Sequence, residues 1–137
     1  MRIQTDDIKK TESKLLTPLL ASLRKTLIWA VILKHADWVT AGIPDFSVTG
    51  YGLTSWWEMK YADPEFESSG VQELTCLRLG AAGLCRYIIF DEHPIKLTRI
   101  VEPQHFKEWR SNGITAPGFD HHFVQQTIQD LHLRFRA

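Results

Sequence analysis

The 137-residue sequence predicts an α/β domain in which a mixed central sheet is flanked by helices. Three observations carry that expectation. A leucine stripe at helical spacing lies near the N-terminus, a glycine turn joins two strand-like runs between 46 and 60, and a helical stretch at 69–82 leads into a continuous apolar run at 84–90. In the first, Leu15, Leu16, Leu19, Leu20 and Leu23 form one apolar face. Pro18 divides that stretch. It would disturb a continuous helix unless Thr17 caps a fresh start with the proline at the first helical position.

Leu27 to Leu33 reads as a buried strand because Ile, Trp and Val are enriched. Gly50-Tyr51-Gly52 marks a turn between strands at 46–48 and 55–60, which therefore pair antiparallel. Ser69 to Ala82 reads as a helix with Leu74 and Leu77 facing inward, closed by Gly83, and Leu84 to Phe90 returns as a buried strand. Ile95 to Val101 is a further strand, Gln104 to Arg110 a short helix, and Pro117-Gly118 a break. In the last helix Phe119, Asp120 and Val124 suit a hydrophobic staple around an N-cap. Val124, Ile128, Leu131 and Phe135 recur at helical spacing, on a stripe expected to pack on its own domain rather than on a second subunit.

An apolar content of 44% with five tryptophans supports one folded domain spanning 1–137. No apolar stretch approaches the roughly 20 residues that cross a bilayer, and the N-terminus lacks a secretory pattern, so a soluble cytoplasmic protein is expected. Cys76 and Cys85 are isolated, which points to buried free thiols rather than a zinc site. His93, His105, His121, His122 and His132 lack ligand spacing and suggest surface or partner contacts, while His35 suits either a site or the core. Trp29, Trp38, Trp56, Trp57 and Trp109 read mostly as core.

Formal net charge is zero, which counts against a general basic field for gripping nucleic acid. The charge is unevenly spread. Residues 1–60 carry eight Lys/Arg against six Asp/Glu, 61–92 two against six, and 93–137 six against four. Asp63, Glu65 and Glu67 form an acidic loop that reads as solvated.

Chemistry concentrates in Gly42-Ile43-Pro44-Asp45-Phe46 and Trp57-Glu58-Met59-Lys60. The strand period of two sets Glu58 and Lys60 on one face and Trp57 and Met59 on the other. Asp45 follows a proline, which favours a strand start or edge. Two carboxylates and an ammonium on adjacent strand ends can hold a hard divalent cation and a water beside a phosphodiester.

This ordered set resembles the PD-(D/E)xK nuclease superfamily, and within it the VRR-NUC branch of phage and repair enzymes. The likeness covers about Thr11 to Glu92: Glu12 in a leucine-rich helix, Gly42 with Pro44-Asp45, Glu58-Met59-Lys60, and Gln72 opening a helix that ends at Gly83. The resemblance implies a restriction-endonuclease-like core and a Mg2+- or Mn2+-dependent DNA endonuclease leaving 5′-phosphate and 3′-hydroxyl ends. By the same likeness Asp45 and Glu58 are metal ligands, the Met59 carbonyl completes the coordination, and Lys60 orients or deprotonates the attacking water. Glu12 reaches the metal directly, through water or by holding a second ion, and Gln72 positions Lys60 or a phosphate.

Bland readings stand beside these. Glu58 with Lys60 suits a solvated ion pair, Gln72 a capping box with Ser69, and Glu12 an exposed position if the helix starts only at Pro18. The branch further implies a homodimer acting on Holliday-junction-like or branched DNA in a bacterial or phage-infected cell. The alternatives are a less selective nuclease of restriction or processing, and a non-catalytic nucleic-acid-binding module. Loss of cutting in Asp45→Ala or Lys60→Ala with binding retained would mark the enzyme.

Overall fold

The computed structural model describes residues 5–35, 42–66, 68 and 70–134. Trp38, Glu67, Ser69 and Phe135 lie outside these residues, and so do the expectations placed on them. Six strands form one sheet in chain order: β1 (Val31–Lys34), β2 (Phe46–Gly50), β3 (Leu53–Ala62), β4 (Cys85–Asp91), β5 (Leu97–Val101) and β6 (Ile114–Pro117). Neighbours are antiparallel except β3 and β4, which are parallel, so the sheet is mixed. A parallel pair needs a crossover, and helix α2 (Gly70–Ala81) supplies it.

Helices α1 (Thr5–Thr26) and α3 (His121–Arg134) cover one face of the sheet. Leu16, Leu19, Leu20 and Leu23 pack there on Phe46, Val48, Trp57, Met59, Ile88 and Phe90, with Val124, Ile128 and Leu131 of α3. The opposite face carries α2 and a 3-10 helix, Pro103–Ser111, over Ala62, Cys85, Tyr87 and Ile89. Both faces of β3 and β4 are therefore buried, which places their polar residues inside the molecule. No helix among the described residues is long and apolar enough to cross a membrane.

Several local expectations hold. The β2–β3 hairpin turns through Tyr51 and Gly52, both at positive φ (56° and 77°), as a two-residue turn matched to strand twist requires. Asp120 caps α3, its Oδ1 accepting the Phe123 N–H at 3.0 Å, while Phe119 packs against Phe90 and Tyr61. The apolar stripe of α3 packs within the chain, and Cys76 and Cys85 are free and buried.

Others are corrected. The α1 helix runs unbroken through Pro18, and Pro18 and Lys14 both lie on its exposed side, where a missing backbone bond costs least. The strand expected at 27–33 is the short edge strand β1, preceded by a turn at 28–29; it buries only Ile32. Leu74 and Leu77 face outward, 47% and 45% exposed, because α2 turns Gln72, Cys76 and Leu79 toward the sheet. Residues 114–117 form edge strand β6, where Pro117 is tolerated because, among the described residues, no strand lies beyond it.

His132 is a further correction, since it is fully buried rather than a surface group. Burial holds its pKa below the ordinary histidine value and leaves the ring neutral. Its Nδ1–H donates to the Gly50 carbonyl (3.0 Å), while Nε2 accepts the Ser55 hydroxyl (2.7 Å), itself an acceptor for Trp57 Nε1–H (2.8 Å). The chain of bonds clasps α3 to the β2–β3 hairpin. Among the other tryptophans, Trp57 and Trp109 are buried, and Trp56 is half-buried and packs at a tilt against His35, which also bonds Ser47. The acidic loop is less free than expected: Glu65 pairs with Arg110 at 2.7 Å and Asp63 with His93.

Candidate active site

The site begins where a strand ends. The β2–β3 ladder stops at the Phe46–Trp57 pair, so beyond Trp57 the matching edge of β3 lacks a partner strand. Buried backbone donors need acceptors, and two carboxylates provide them. Asp45, just before β2, accepts the Met59 N–H on Oδ2 at 2.8 Å, and Glu12 of α1 accepts the Tyr61 N–H at 3.4 Å. A strand residue sends its N–H and C=O to the same edge, so the Met59 carbonyl shares this one. The Met59 side chain is core.

Alternation turns Glu58 and Lys60 toward α2. Glu58 Oε1 accepts the Asp45 N–H at 3.1 Å, its Oε2 lies 3.0 Å from Lys60 Nζ, and Lys60 Nζ donates to Gln72 Oε1 at 2.7 Å. Ser68 also reaches Gln72 Oε1, at 3.5 Å. All five sequence-nominated side chains, Glu12, Asp45, Glu58, Lys60 and Gln72, thus line one cavity of about 520 Å3 together with Met59. Glu58 and Lys60 are 2% and 6% exposed, which excludes the solvated ion pair. Glu12 lies within α1 because that helix is continuous.

Gly42 fixes the approach to Asp45. It has φ of 88°, and a Cβ there would lie 2.9 Å from the Val71 side chain, so the chain before Asp45 passes directly against the start of α2.

No protein-family model and no curated protein matches this chain.

The charges are poorly matched without a further cation. Burial raises the Glu58 carboxyl, with Asp45 adding repulsion, to about 9 despite the opposing pull of Lys60. Burial likewise raises Glu12 to about 7 and lifts Asp45 above the ordinary aspartate value. Burial works against the Lys60 ammonium, but Glu58, Glu12 and Asp45 outweigh it and hold its pKa above that of an ordinary lysine. Three acidic side chains thus share one buried ammonium, and burial leaves them holding protons that a bound cation would displace.

As the side chains stand, no three or more His, Cys, Asp or Glu residues among those described close into a ready metal cage. The donor set still suits a hard dication: carboxylate and carbonyl oxygens on a rigid strand edge, in surplus over positive charge.

Lys9, Ser13, Leu16 and Ser68 also line the cavity, and the sequence reading missed them. A signal was present. Lys9, Glu12, Ser13 and Leu16 stand at i, i+3, i+4 and i+7, one face of a helix that continues through Pro18.

Proposed function

We propose that the chain is a Mg2+- or Mn2+-dependent DNA endonuclease with a restriction-endonuclease-like core, acting on branched, Holliday-junction-like DNA as a homodimer. The observation that carries this reading is the continuous linkage of Asp45, Glu58, Lys60 and Gln72 from the unpaired edge of β3 across to α2, inside a cavity whose acidic side chains outnumber its lysines. Asp45, Glu58 and the Met59 carbonyl would hold the metal, with Glu12 beside it. When bound, the ion would supply Lewis acidity toward a phosphate oxygen and lower the pKa of a water.

The remaining work falls to the protein. Gln72 holds the Lys60 ammonium at the acid cluster, where it can orient a water and offset charge building on the phosphate. The anchoring of Asp45 and Glu58 on backbone N–H groups limits reorganisation during the reaction. Paired nicks across a junction require two sites, which a two-fold dimer presents.

End-labelled linear duplex and four-way junction DNA, incubated with Mg2+, Mn2+ or chelator, test the reading. Junction cutting that needs metal and disappears in Lys60→Ala and Asp45→Ala is expected. Equal cutting of both substrates would indicate an unselective nuclease. Cutting in chelator, or undiminished in both variants, would refute the site.

A further inference from the structure

We propose that Lys9 and Ser13 form a phosphate-binding rim to this cavity, holding a DNA phosphate adjacent to the one placed at Lys60. The inference rests on the nuclease reading above and adds to it the pair that grips the substrate backbone. Lys9, Glu12, Ser13 and Leu16 occupy one face of α1. Leu16 is buried, Glu12 reaches in to the Tyr61 N–H, and the exposed Lys9 and Ser13 are left at the cavity lip.

Electrostatics calls for such a rim. The cavity's three acidic side chains outnumber its two lysines, so the lining offers a polyanion little positive charge, and its buried ammonium is already engaged by Glu58 and Gln72. Lys9 is the other cationic lining residue, and among the described residues its ammonium has no salt-bridge or hydrogen-bond partner. The whole chain has zero formal charge, so a cation at the cavity itself gives the strand a grip that net charge does not. An ammonium on a flexible stem beside a hydroxyl donor matches a phosphate's acceptor oxygens.

The test is fluorescence anisotropy of labelled junction DNA with Mg2+ across a salt series. It uses Asp45→Ala to prevent cleavage, alone and combined with Lys9→Ala, Lys9→Arg, Ser13→Ala or, as a control, Lys107→Ala. Lys9→Ala should weaken binding roughly tenfold at low salt and reduce the slope of log K against log salt by about 1, the signature of one lost phosphate contact. Lys9→Arg should restore the slope, Ser13→Ala should weaken binding without changing it, and Lys107→Ala should do neither.

An unchanged slope in Lys9→Ala would overturn the rim while leaving the nuclease reading intact. An unchanged slope together with an altered Mg2+ requirement for cleavage, measured in Lys9→Ala with Asp45 intact, would instead mean that Lys9 only offsets Glu12. Absence of DNA binding by wild-type protein would overturn both readings.

Discussion

Lys60 has the most constrained role at the scale of single residues, because its ammonium touches both the Glu58 carboxyl group and the Gln72 amide. Lys60→Ala is expected to lower the rate of metal-dependent cleavage by about 100-fold or more, in line with loss of a positioned charge or proton-transfer group. Gln72→Ala leaves the ammonium in place but less well aimed, so single-turnover rates should fall only about tenfold. Acid–base behaviour offers a second test. The Glu58 carboxyl sits at about 9 in the folded chain against an ordinary 4.5, so the folded state keeps a proton that the unfolded chain releases. That contribution is fully present below pH 4.5 and is lost as pH rises through 9, and Glu12, at about 7, acts in the same direction. The melting temperature of metal-free protein should therefore decline between pH 6 and 9, less steeply in Glu58→Gln. Added Mn2+ should offset the decline by binding the ionised form.

At the scale of elements, the His132 clasp ties the last helix to the β2–β3 hairpin through two bonds, to Gly50 and Ser55, with a third from Trp57 to Ser55 inside β3. His132→Ala leaves the Ser55 hydroxyl and Gly50 carbonyl short of partners and opens a cavity, so urea unfolding should show a loss of about 2–4 kcal/mol. Because the ring is buried neutral, its contribution is present above pH 6.5 and lost as pH falls below that value, opposite in sign to the acid cluster. Gly42→Ala should also cost cleavage, since the added Cβ meets Val71 and displaces either Asp45 or the start of α2. The strands that carry the site were legible in the sequence: alternation in Trp57-Glu58-Met59-Lys60 assigned the correct faces, and Gly50-Tyr51-Gly52 located the turn. Other features were hidden for physical reasons. The side of α2 that faces the sheet carries Gln72, Cys76 and Leu79 rather than the more obvious Leu74 and Leu77, and the exposed side of Pro18 cannot be read from a local proline rule. The burial of His132 depends on Ser55 and Gly50, about 80 positions away in the chain.

For the whole molecule, the arrangement gathers acid groups from α1, the segment before β2, and β3 into one interior cluster on an otherwise charge-balanced protein. Sheet and helices leave that cluster short of positive charge, and a bound dication is the proposed remedy. Dimerisation predicts a solution mass near twice the 15.8 kDa of the chain by light scattering, and a mass of one chain would argue against paired nicking. Calorimetric titration of Mn2+ into metal-free protein at pH 7.5 addresses the metal site most directly. Saturable binding with proton release, abolished in Asp45→Ala and Glu58→Gln but kept in Lys107→Ala, is the predicted result. Absence of saturable binding, or binding of equal strength in Asp45→Ala, would contradict it.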